Sequence, residues 1–185
     1  MRKRLTRITT RGGDQGQSAL ADGSKLPKSA LQFAALGDVD ELNSAIGIVI
    51  AHLDTASELR EPLIDVQSRL FDVGGALAMP GTAVSMVDDV AALDRYVAEY
   101  NAKLQPLANF ILPGGSAAGA HMHLARSICR RAERSVWSLL EEREASYDRS
   151  IGVYLNRLSD VLFVFARTVN GDSPELLWQQ REPRR

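Results

Sequence analysis

The stretch HLARSICRRAERSV, residues 123–136, carries two kinds of side chain that fall on different faces of a helix. At about 100° per residue the first face is small and apolar. It consists of Ala125, Cys129, Ala132, Val136 and Leu139. The neighbouring face is charged and consists of Arg126, Arg130, Glu133 and Trp137. The pattern predicts a helix that packs on a core by its apolar face, with Arg131 turned roughly opposite, towards solvent, and Arg134 at the margin of the charged face.

The arginines of this helix allow two interpretations. Charged runs on helices are usually solvated faces joined by ion pairs three and four residues apart. However, Arg126 and Arg130 lie one helical turn apart, and two guanidinium groups at that spacing form a good receptor for a polyphosphate or for a carboxylate of another chain. Both interpretations stay open on the residues alone.

Apolar residues at helical spacing predict four more helices along the chain. These four helices cover residues 37–52, 57–79, 86–106 and 149–169. The arginine helix is expected to run from Ala117 into the 140s. The carboxylates near Gly37 would lie in the first turn of the first helix. No strand alternation of useful length is found, and NFILP, residues 109–113, is the one candidate for a strand. The sequence therefore predicts an all-α fold, an antiparallel five-helix bundle with an irregular N-terminal segment.

Length and composition predict a single domain. With 185 residues, 45% of them hydrophobic, the chain can bury one core and is too short for a second. We expect residues 1–36 to form an N-terminal segment, 37–170 the bundle and 171–185 a C-terminal tail. The end REPRR, residues 181–185, is interpreted as a loose basic end.

The balance of charge argues against two classes of partner. Lys and Arg number 22 against 23 Asp and Glu, so no global positive field would attract nucleic acid or anionic lipid. The single cysteine, Cys129, does not suit a disulfide framework. No apolar run suggests a secretory or membrane-spanning segment. We expect a cytoplasmic protein with neither nucleic acid nor a membrane as partner.

The N-terminal stretch TTRGGDQGQS, residues 9–18, is rich in groups that suit an anion. Gly13 and Gly16 allow close approach of the backbone to a ligand, and hydroxyls and cations stand nearby. The stretch is not a Walker A loop, since no Gly-Lys-Ser/Thr follows. Taken alone, such a stretch is more often a plain N-terminal loop than a phosphate cradle.

Polar residues within the fifth helix form the third candidate. Asn156 and Asp160 lie one turn apart in VYLNRLSDVLF, residues 153–163, and we expect both to be partly buried. They could form a polar clasp between helices or contact a nucleotide or its magnesium. Asp40 and Glu41 invite a similar choice between helix-terminal charges and partners for an arginine.

The ligand and acid–base patterns of common enzymes are not found in the sequence. There is no Glu-x-x-His pair of the kind that binds di-iron in helical bundles. The three histidines, His52, His121 and His123, have no evident metal-ligand or nucleophile spacing, and His121 is interpreted as a packed residue. The chain thus shows anion-binding features without a general base.

These segments together resemble the propanediol-utilisation (PduO) type of ATP:cob(I)alamin, or corrinoid, adenosyltransferases. The similarity rests on TTRGGDQGQSALADGSKLPK, ALGDVDELNSAIG, FILPGG, ARSICRRAER and NRLSD, five motifs in the family's order along nearly the whole chain. The resemblance implies a five-helix bundle that assembles as a homotrimer, with an active site at each interface between subunits.

The resemblance also implies which residues form the site. In the N-terminal segment, ATP would be bound by Thr10, Arg11, Gly12, Gly13, Ser18, Ala19 and Lys28. From the later motifs, ATP would be bound by Arg130, Arg131, Ala132, Glu133, Arg134 and Asn156, with magnesium held mainly by phosphates and water, near Asn156. Phe110 would lie under the corrin ring, and Asp40 and Arg126 would pair across the subunit interface and shape the corrinoid pocket. The catalytic residues would be Lys28, Arg130, Asn156 and Phe110.

The chain departs from the family pattern at a few positions. Ser18 stands where threonine is common, Lys25 where arginine is common and Gly12 where threonine or asparagine is more usual. The hydroxyl of Ser18 and the charge of Lys25 are kept, although lysine lacks the planar fork of arginine. The segment SALQF, residues 29–33, lacks the acidic residues that many relatives have.

The implied reaction is attack of cob(I)alamin on the 5′ carbon of ATP, which forms a cobalt–carbon bond and expels triphosphate. The nucleophile has no proton to remove, so the missing general base suits this chemistry. A cob(II)alamin reductase and an adenosylcobalamin-dependent enzyme are the partners that the resemblance implies besides the chain itself. The alternatives are a nucleotide-sensing or corrinoid-carrying protein without turnover and, less favoured, a nucleic-acid-binding bundle.

Overall fold

The protein is described from a computed structural model over residues 9, 11–82, 84–171 and 175–180. In this part of the chain the predicted all-α bundle is confirmed. Its helices are α1 (Leu31–His52), α2 (Arg60–Ala78), α3 (Val87–Asn101), α4 (Ala117–Glu142) and α5 (Ser150–Asn170). A 3₁₀ turn, Glu144–Ser146, lies between α4 and α5. No helix within the described residues is long and apolar enough to cross a membrane.

The helices pack in an order that differs from their order in the chain. α2 lies on α1, α1 on α4, α4 on α5, and α5 on α3. The arginine helix α4 therefore lies in the middle of the bundle. Its predicted apolar face is confirmed, because Ala125, Cys129, Ala132, Val136 and Leu139 are all fully buried.

Polar side chains fix the relative position of the first two helices. The amide of Asn43 donates to the carbonyl of Gln67 at 3.0 Å, and the amide of Gln67 donates to the carbonyl of Asn43 at 3.0 Å. Two reciprocal bonds between helices satisfy groups that burial would otherwise leave unpaired. They fix the position of α2 along the axis of α1.

The first helix begins earlier than the apolar pattern predicts. It starts at Leu31, six residues before the expected start at Gly37. Asp40 and Glu41 consequently lie well inside α1, and the first turn carries no acidic residue. The interpretation of these carboxylates as helix-terminal charges is therefore wrong.

The N-terminal segment contains a small hairpin that the sequence pattern does not predict. β1 (Gln17–Ala19) pairs antiparallel with β2 (Lys25–Pro27), and Ser18 lies opposite Leu26. The turn between the strands uses Gly23 at φ 86°, a conformation that favours glycine. The hairpin attaches to the bundle through the amide of Ala21, which donates to the carbonyl of Ala78 at 3.0 Å.

The connection between α3 and α4, residues 102–116, ends at a capped helix. The hydroxyl of Ser116 accepts a hydrogen bond from the amide of Gly119 at 3.0 Å, which is the N-cap arrangement. Near the middle of this loop, Ile111 forms an isolated antiparallel bridge with Leu177. The possible strand near residues 109–113 is thus a single bridge to the C-terminal segment. The predicted loose end, 181–185, lies outside the described residues.

Candidate functional site

The N-terminal segment forms a cleft of about 600 Å³ beside the hairpin. The expected ATP-binding residues Arg11, Gly12, Gly13, Ser18 and Ala19 all line this cleft, with Lys25 at its edge. Arg11 has φ 60°, a left-handed conformation unusual for a side chain other than glycine. Thr10, which the resemblance also assigns to ATP, lies outside the described residues.

Lys28 lies directly over Gly13. A Cβ atom built at Gly13 would be 2.9 Å from the ammonium nitrogen of Lys28. The backbone amide of Lys28 donates to the carbonyl of Gly16 at 2.8 Å, which ties the lysine to the turn of the cleft. Glycine at position 13 therefore provides the space in which the Lys28 ammonium joins the cleft.

The charged face of α4 presents Arg130, Glu133 and Arg134. Arg130 is exposed, and within the described residues its guanidinium has no hydrogen bond or ion pair, although its carbonyl accepts from Arg134 Nη1 at 3.1 Å. Glu133 is half-buried and accepts a hydrogen bond from the amide of Asn156 at 3.0 Å. The cation of Arg130 is thus available to a ligand, whereas Ala132 is fully buried in the core.

Asn156 and Asp160 are exposed, so the expectation that they are partly buried is wrong. Asn156 lies on α5 and reaches Glu133 on α4, while Asp160 is 3.5 Å from Arg157 of its own helix. The apolar sequence around them packs inward, and the two polar side chains lie on the helix face that points away from the core. Asn156 therefore borders the same surface as Arg130.

Arg131 is partly exposed, with 42% of its side chain accessible, and its guanidinium also reaches α1. Its Nε donates to Asp38 Oδ1 at 3.1 Å and its Nη2 contacts Glu41, both on α1. The hydroxyl of Ser135 also donates to Asp38, at 2.5 Å. The face opposite the arginine stripe is the face against which α1 packs, so Arg131 serves as a tie between α4 and α1.

Phe110 borders a second cavity, of about 550 Å³, in the loop that precedes α4. This side chain is 79% exposed, the most exposed of the large hydrophobic residues described. The cavity is lined further by Leu107, Ile111, Arg126 and Phe163. Apolar walls with one cation suit a flat apolar ligand that carries polar edges.

Arg126 and His123 form the polar side of the Phe110 cavity. The guanidinium carbon of Arg126 is 5.3 Å from the ring centroid of Phe163, and its buried Nε has no hydrogen-bond partner within the described residues. His123 packs edge-on against the same ring, at 6.1 Å between centroids. Burial of His123, and next the nearby Arg126 charge, lower the pKa of the imidazole, so a neutral ring is favoured.

His123 is a residue of this cavity that the sequence does not indicate. Its spacing suggests neither a metal ligand nor a nucleophile, and spacing alone does not reveal its burial. Its position three residues before Arg126 places both on one side of α4, which is the signal that could have found it. His121, interpreted as packed, is half-buried and lies 4.8 Å from the ring of His52.

Asp40 lies on another surface, in a cleft of about 350 Å³ between α1 and α2. The carboxylate is exposed and has no hydrogen bond or ion pair to the rest of the described chain. Phe71 lines the same cleft and is 72% exposed. This surface therefore combines an available negative charge with an exposed aromatic ring.

Within one chain the expected ATP-binding residues form two separate groups. The first group is the N-terminal cleft with Lys28, and the second is Arg130, Glu133, Arg134 and Asn156. Leaving Gly12 aside, no hydrogen bond or ion pair in the described part of the chain joins the two groups. Asp40 and Arg126 likewise do not pair with each other. Each group presents unpaired charge to its surroundings.

The described residues hold no cluster of three or more His, Cys, Asp or Glu side chains that could bind a metal ion. The lone Cys129 is fully buried, its thiol donates to the carbonyl of Leu155 at 3.2 Å, and burial raises its pKa. Because the thiolate is the reactive form, this cysteine is an inert part of the core.

Proteins of known activity are similar to this chain over nearly all of its length. A cobalamin adenosyltransferase of Cupriavidus metallidurans is 46% identical, covering 97% of this chain and 98% of that protein. A corrinoid adenosyltransferase of Mycobacterium tuberculosis is 39% identical, covering 95% and 94%.

Solved structures are similar as well. A phenylalanine-to-histidine variant of the PduO-type ATP:corrinoid adenosyltransferase of Lactobacillus reuteri, complexed with cobalamin and ATP, matches with a TM-score of 0.88 and 31% identity, covering 94% of this chain and 97% of that one. An arginine-to-lysine variant of the Lactobacillus reuteri enzyme, complexed with ATP, matches with a TM-score of 0.87 and 32% identity over 93% of this chain and all of that one. The sequence model of the cobalamin adenosyltransferase family matches residues 8–169. Together with the fold and the order of the motifs, these similarities show that the chain belongs to the cobalamin adenosyltransferase family.

Proposed function

We propose that the protein transfers the 5′-deoxyadenosyl group of ATP to the cobalt of cob(I)alamin, giving adenosylcobalamin and triphosphate, at sites between subunits of a homotrimer. The observation that carries the proposal is the likeness, over 94% of this chain, to a relative whose structure contains both cobalamin and ATP. The anion-binding cleft and the exposed apolar Phe110 cavity supply two sites of different chemistry, as this reaction requires.

The ATP side of the site is proposed to combine both groups of cations. Arg11, Gly13 and Lys28 lie at the N-terminal cleft, where backbone amides and the lysine can bind phosphate. Arg130 offers an unpaired guanidinium, and such a fork binds two phosphate oxygens at once. Arg134 and Asn156 are assigned to the same nucleotide, next to Arg130.

The chemistry requires alignment and charge stabilisation rather than proton transfer. Cobalt attacks the 5′ carbon, the bond from that carbon to the triphosphate oxygen breaks, and the oxygen leaves with its electron pair. The leaving group gains negative charge, which Lys28 and Arg130 can stabilise. One charge-assisted hydrogen bond of this kind contributes roughly 1.5–3 kcal/mol.

Phe110 is assigned to the lower face of the corrin ring. Its side chain has no group that could coordinate cobalt, and its exposed ring can occupy the position of a lower axial ligand and exclude water from it. Loss of the lower ligand leaves a four-coordinate cob(II)alamin, which is easier to reduce. We therefore assign Phe110 to the formation of the cob(I)alamin nucleophile.

The trimer is supported by unpaired groups on two surfaces of one chain. Asp40 lies exposed between α1 and α2, and the half-buried Arg126 has no ion pair within the described residues. An ion pair between Asp40 of one subunit and the guanidinium of Arg126 of the next would balance both charges. In the proposed trimer, the N-terminal cleft of one subunit and the charged face of α4 of another form one ATP site.

Magnesium is proposed to be bound mainly by the phosphates of ATP and by water. Asn156 and Glu133 are the protein groups assigned to its neighbourhood, since their side chains lie 3.0 Å apart beside Arg130. When bound, magnesium would neutralise part of the charge of the triphosphate. A cytoplasmic location, a cob(II)alamin reductase and an adenosylcobalamin-dependent enzyme as partners stay predictions.

The test of the activity mixes the purified protein with ATP, magnesium and chemically reduced cobalamin under anaerobic conditions. We expect the adenosylcobalamin spectrum and release of one triphosphate for each cobalamin converted. ATP binding without either product would overturn the proposal and favour a nucleotide sensor or corrinoid carrier.

Replacement of Phe110 tests the division between the two substrates. Phe110→Ala should slow adenosylation, weaken the four-coordinate cob(II)alamin spectrum and leave ATP affinity unchanged. If ATP affinity fell while the cobalt spectrum stayed the same, the role assigned to Phe110 would be wrong. Leu124→Ala, an exposed apolar residue on α4, serves as a control for loss of apolar surface.

A further inference from the structure

The loop that carries Phe110 has little structure of its own. Between the end of α3 and the beginning of α4, the described chain forms one isolated β-bridge, Ile111 with Leu177. The Phe110 ring, at 79% exposure, does not fix the loop by packing. Contacts from elsewhere must therefore hold this segment in place.

The beginning of the loop is attached to Arg167, in the last turn of α5. Arg167 is 5% exposed, and its Nη2 donates to the carbonyl of Gln105 at 2.7 Å. The same guanidinium donates to Glu175 from Nε at 2.6 Å and from Nη2 at 3.1 Å. Arg167 thus joins the beginning of the loop to the segment that follows α5, through a part-buried two-pronged ion pair.

The end of the loop is attached to Asn170, one turn further along α5. Its Nδ2 donates to the carbonyl of Gly114 at 3.0 Å, and its Oδ1 accepts from the amide and the hydroxyl of Ser116, both at 3.0 Å. A Cβ at Gly115 or Gly119 would collide with the Asn170 amide. Glycine at positions 115 and 119 therefore allows this close approach.

The middle of the loop is paired with residues 175–180, which include Glu175. The amide of Leu112 donates to the carbonyl of Leu176 at 2.7 Å, and the amide of Trp178 donates to the carbonyl of Phe110 at 2.7 Å. The side-chain amide of Asn109 donates to the carbonyl of Trp178 at 2.8 Å. These bonds lie on both sides of Phe110.

We propose that Arg167 and Asn170 are positioning residues that set the place of Phe110. Arg167 acts through Gln105 and Glu175, and Asn170 acts through Gly114 and Ser116. The inference rests on the proposed function in one respect, namely that Phe110 faces the corrinoid. We call these contacts of the loop with Arg167, Asn170 and residues 175–180 the frame. All of them lie within one chain. A site held in this way is organised before its ligand arrives.

A ligand-free measurement tests the frame. Hydrogen exchange of the backbone amides of Leu112 and Trp178 should accelerate at least tenfold in Glu175→Gln and in Arg167→Gln, because both amides donate across the pairing that the ion pair anchors. Glu144→Gln is the matched control, since Glu144 pairs with Arg149 at 3.0 Å on the surface. It should leave both amides as protected as in the unaltered protein.

Unchanged protection in Glu175→Gln would overturn the frame. Should Arg167→Gln fail to fold, Glu175→Gln keeps the test decisive, because the Glu175 side chain is 25% exposed and its loss leaves the Gln105 contact in place. Arg167→Lys keeps the charge and loses the fork, so exchange between that of the parent and of Glu175→Gln is expected.

Kinetics test the consequence for Phe110. Glu175→Gln should raise the KM for cob(I)alamin at least threefold and weaken the four-coordinate cob(II)alamin spectrum, with the KM for ATP unchanged. If each substrate had the same KM in Glu175→Gln as in the parent, although exchange was faster, the frame would not position Phe110. If the parent itself forms no adenosylcobalamin, the proposed function fails, while the exchange result still decides the frame.

Discussion

The guanidinium of Arg126 lies 5.3 Å from the ring of Phe163, and the buried Nε of Arg126 has no hydrogen-bond partner in the described chain. A buried cationic donor without a partner is costly to the fold. The guanidinium of Arg126 also has no ion pair within the described residues, and the exposed carboxylate of Asp40 has the complementary charge.

The assignment of Asp40 and Arg126 to one subunit interface predicts coupled effects on assembly. Asp40→Asn and Arg126→Gln should each weaken the trimer, and the double variant should lose less than the sum of the two, with a coupling of about 0.5–3 kcal/mol. Sedimentation over a range of protein concentrations measures the association. Asp94→Asn, which removes a surface partner of Arg157, is the control. Strictly additive losses would show that the two residues do not meet.

How well a structural feature could be predicted from the sequence depends on how far apart its interacting residues lie in the chain. The apolar stripe of α4 was predictable, because it follows from the period of one helix. The ion pairs of Arg131 with α1 were not predictable, since the period gives only a direction about the axis of α4 and does not reveal that α1 packs there. The start of α1 was missed because Gln32, which is 1% exposed, and Ala35 are not strongly apolar signals.

The least predictable parts are those that join distant segments. Each strand of the hairpin has three residues, too few for an alternation to be recognised. The contacts of Arg167 with Gln105 and of Asn170 with Ser116 connect residues 62 and 54 positions apart. No local pattern indicates such pairs, so the frame around Phe110 required the structure.

Arg130 should be essential for turnover if its free guanidinium contacts the triphosphate. Arg130→Ala should lower kcat/KM for ATP by roughly ten- to a hundred-fold, the effect of losing one charge-assisted hydrogen bond. Arg95→Ala is the matched control, because Arg95 is also exposed on a helix and has no ion pair among the described residues. Steady-state kinetics with varied ATP give the values. Equal kcat/KM in the two variants would remove Arg130 from the site.

Gly13→Ala should disturb ATP binding by displacing Lys28. The added Cβ would lie 2.9 Å from the lysine nitrogen, closer than such atoms approach, so the flexible end of Lys28 must move. We expect the KM for ATP to rise about three- to tenfold, since part of one charge-assisted phosphate contact, worth roughly 1.5–3 kcal/mol, is lost.

Lys28→Ala provides the background that tests this cause. In that background Gly13→Ala should change the KM for ATP little, because no ammonium remains to be displaced. A further rise as large as the one in the parent would show that Gly13 acts through the backbone instead.

His123 should make the folded protein sensitive to acid. Burial, and next the charge of Arg126, lower the pKa of the imidazole, with Glu175 acting in the opposite direction. The unfolded chain therefore binds a proton near pH 6.5, while the folded chain binds it only at lower pH. Stability is kept above that value and is lost as the pH falls from about 6.5 towards the lower pKa of the folded state. His123→Gln removes this group, so its melting temperature should fall less steeply between pH 7 and 5 than that of the parent. Melting curves recorded across this range measure the slope, and an equally steep fall in His123→Gln would assign the acid sensitivity to other groups.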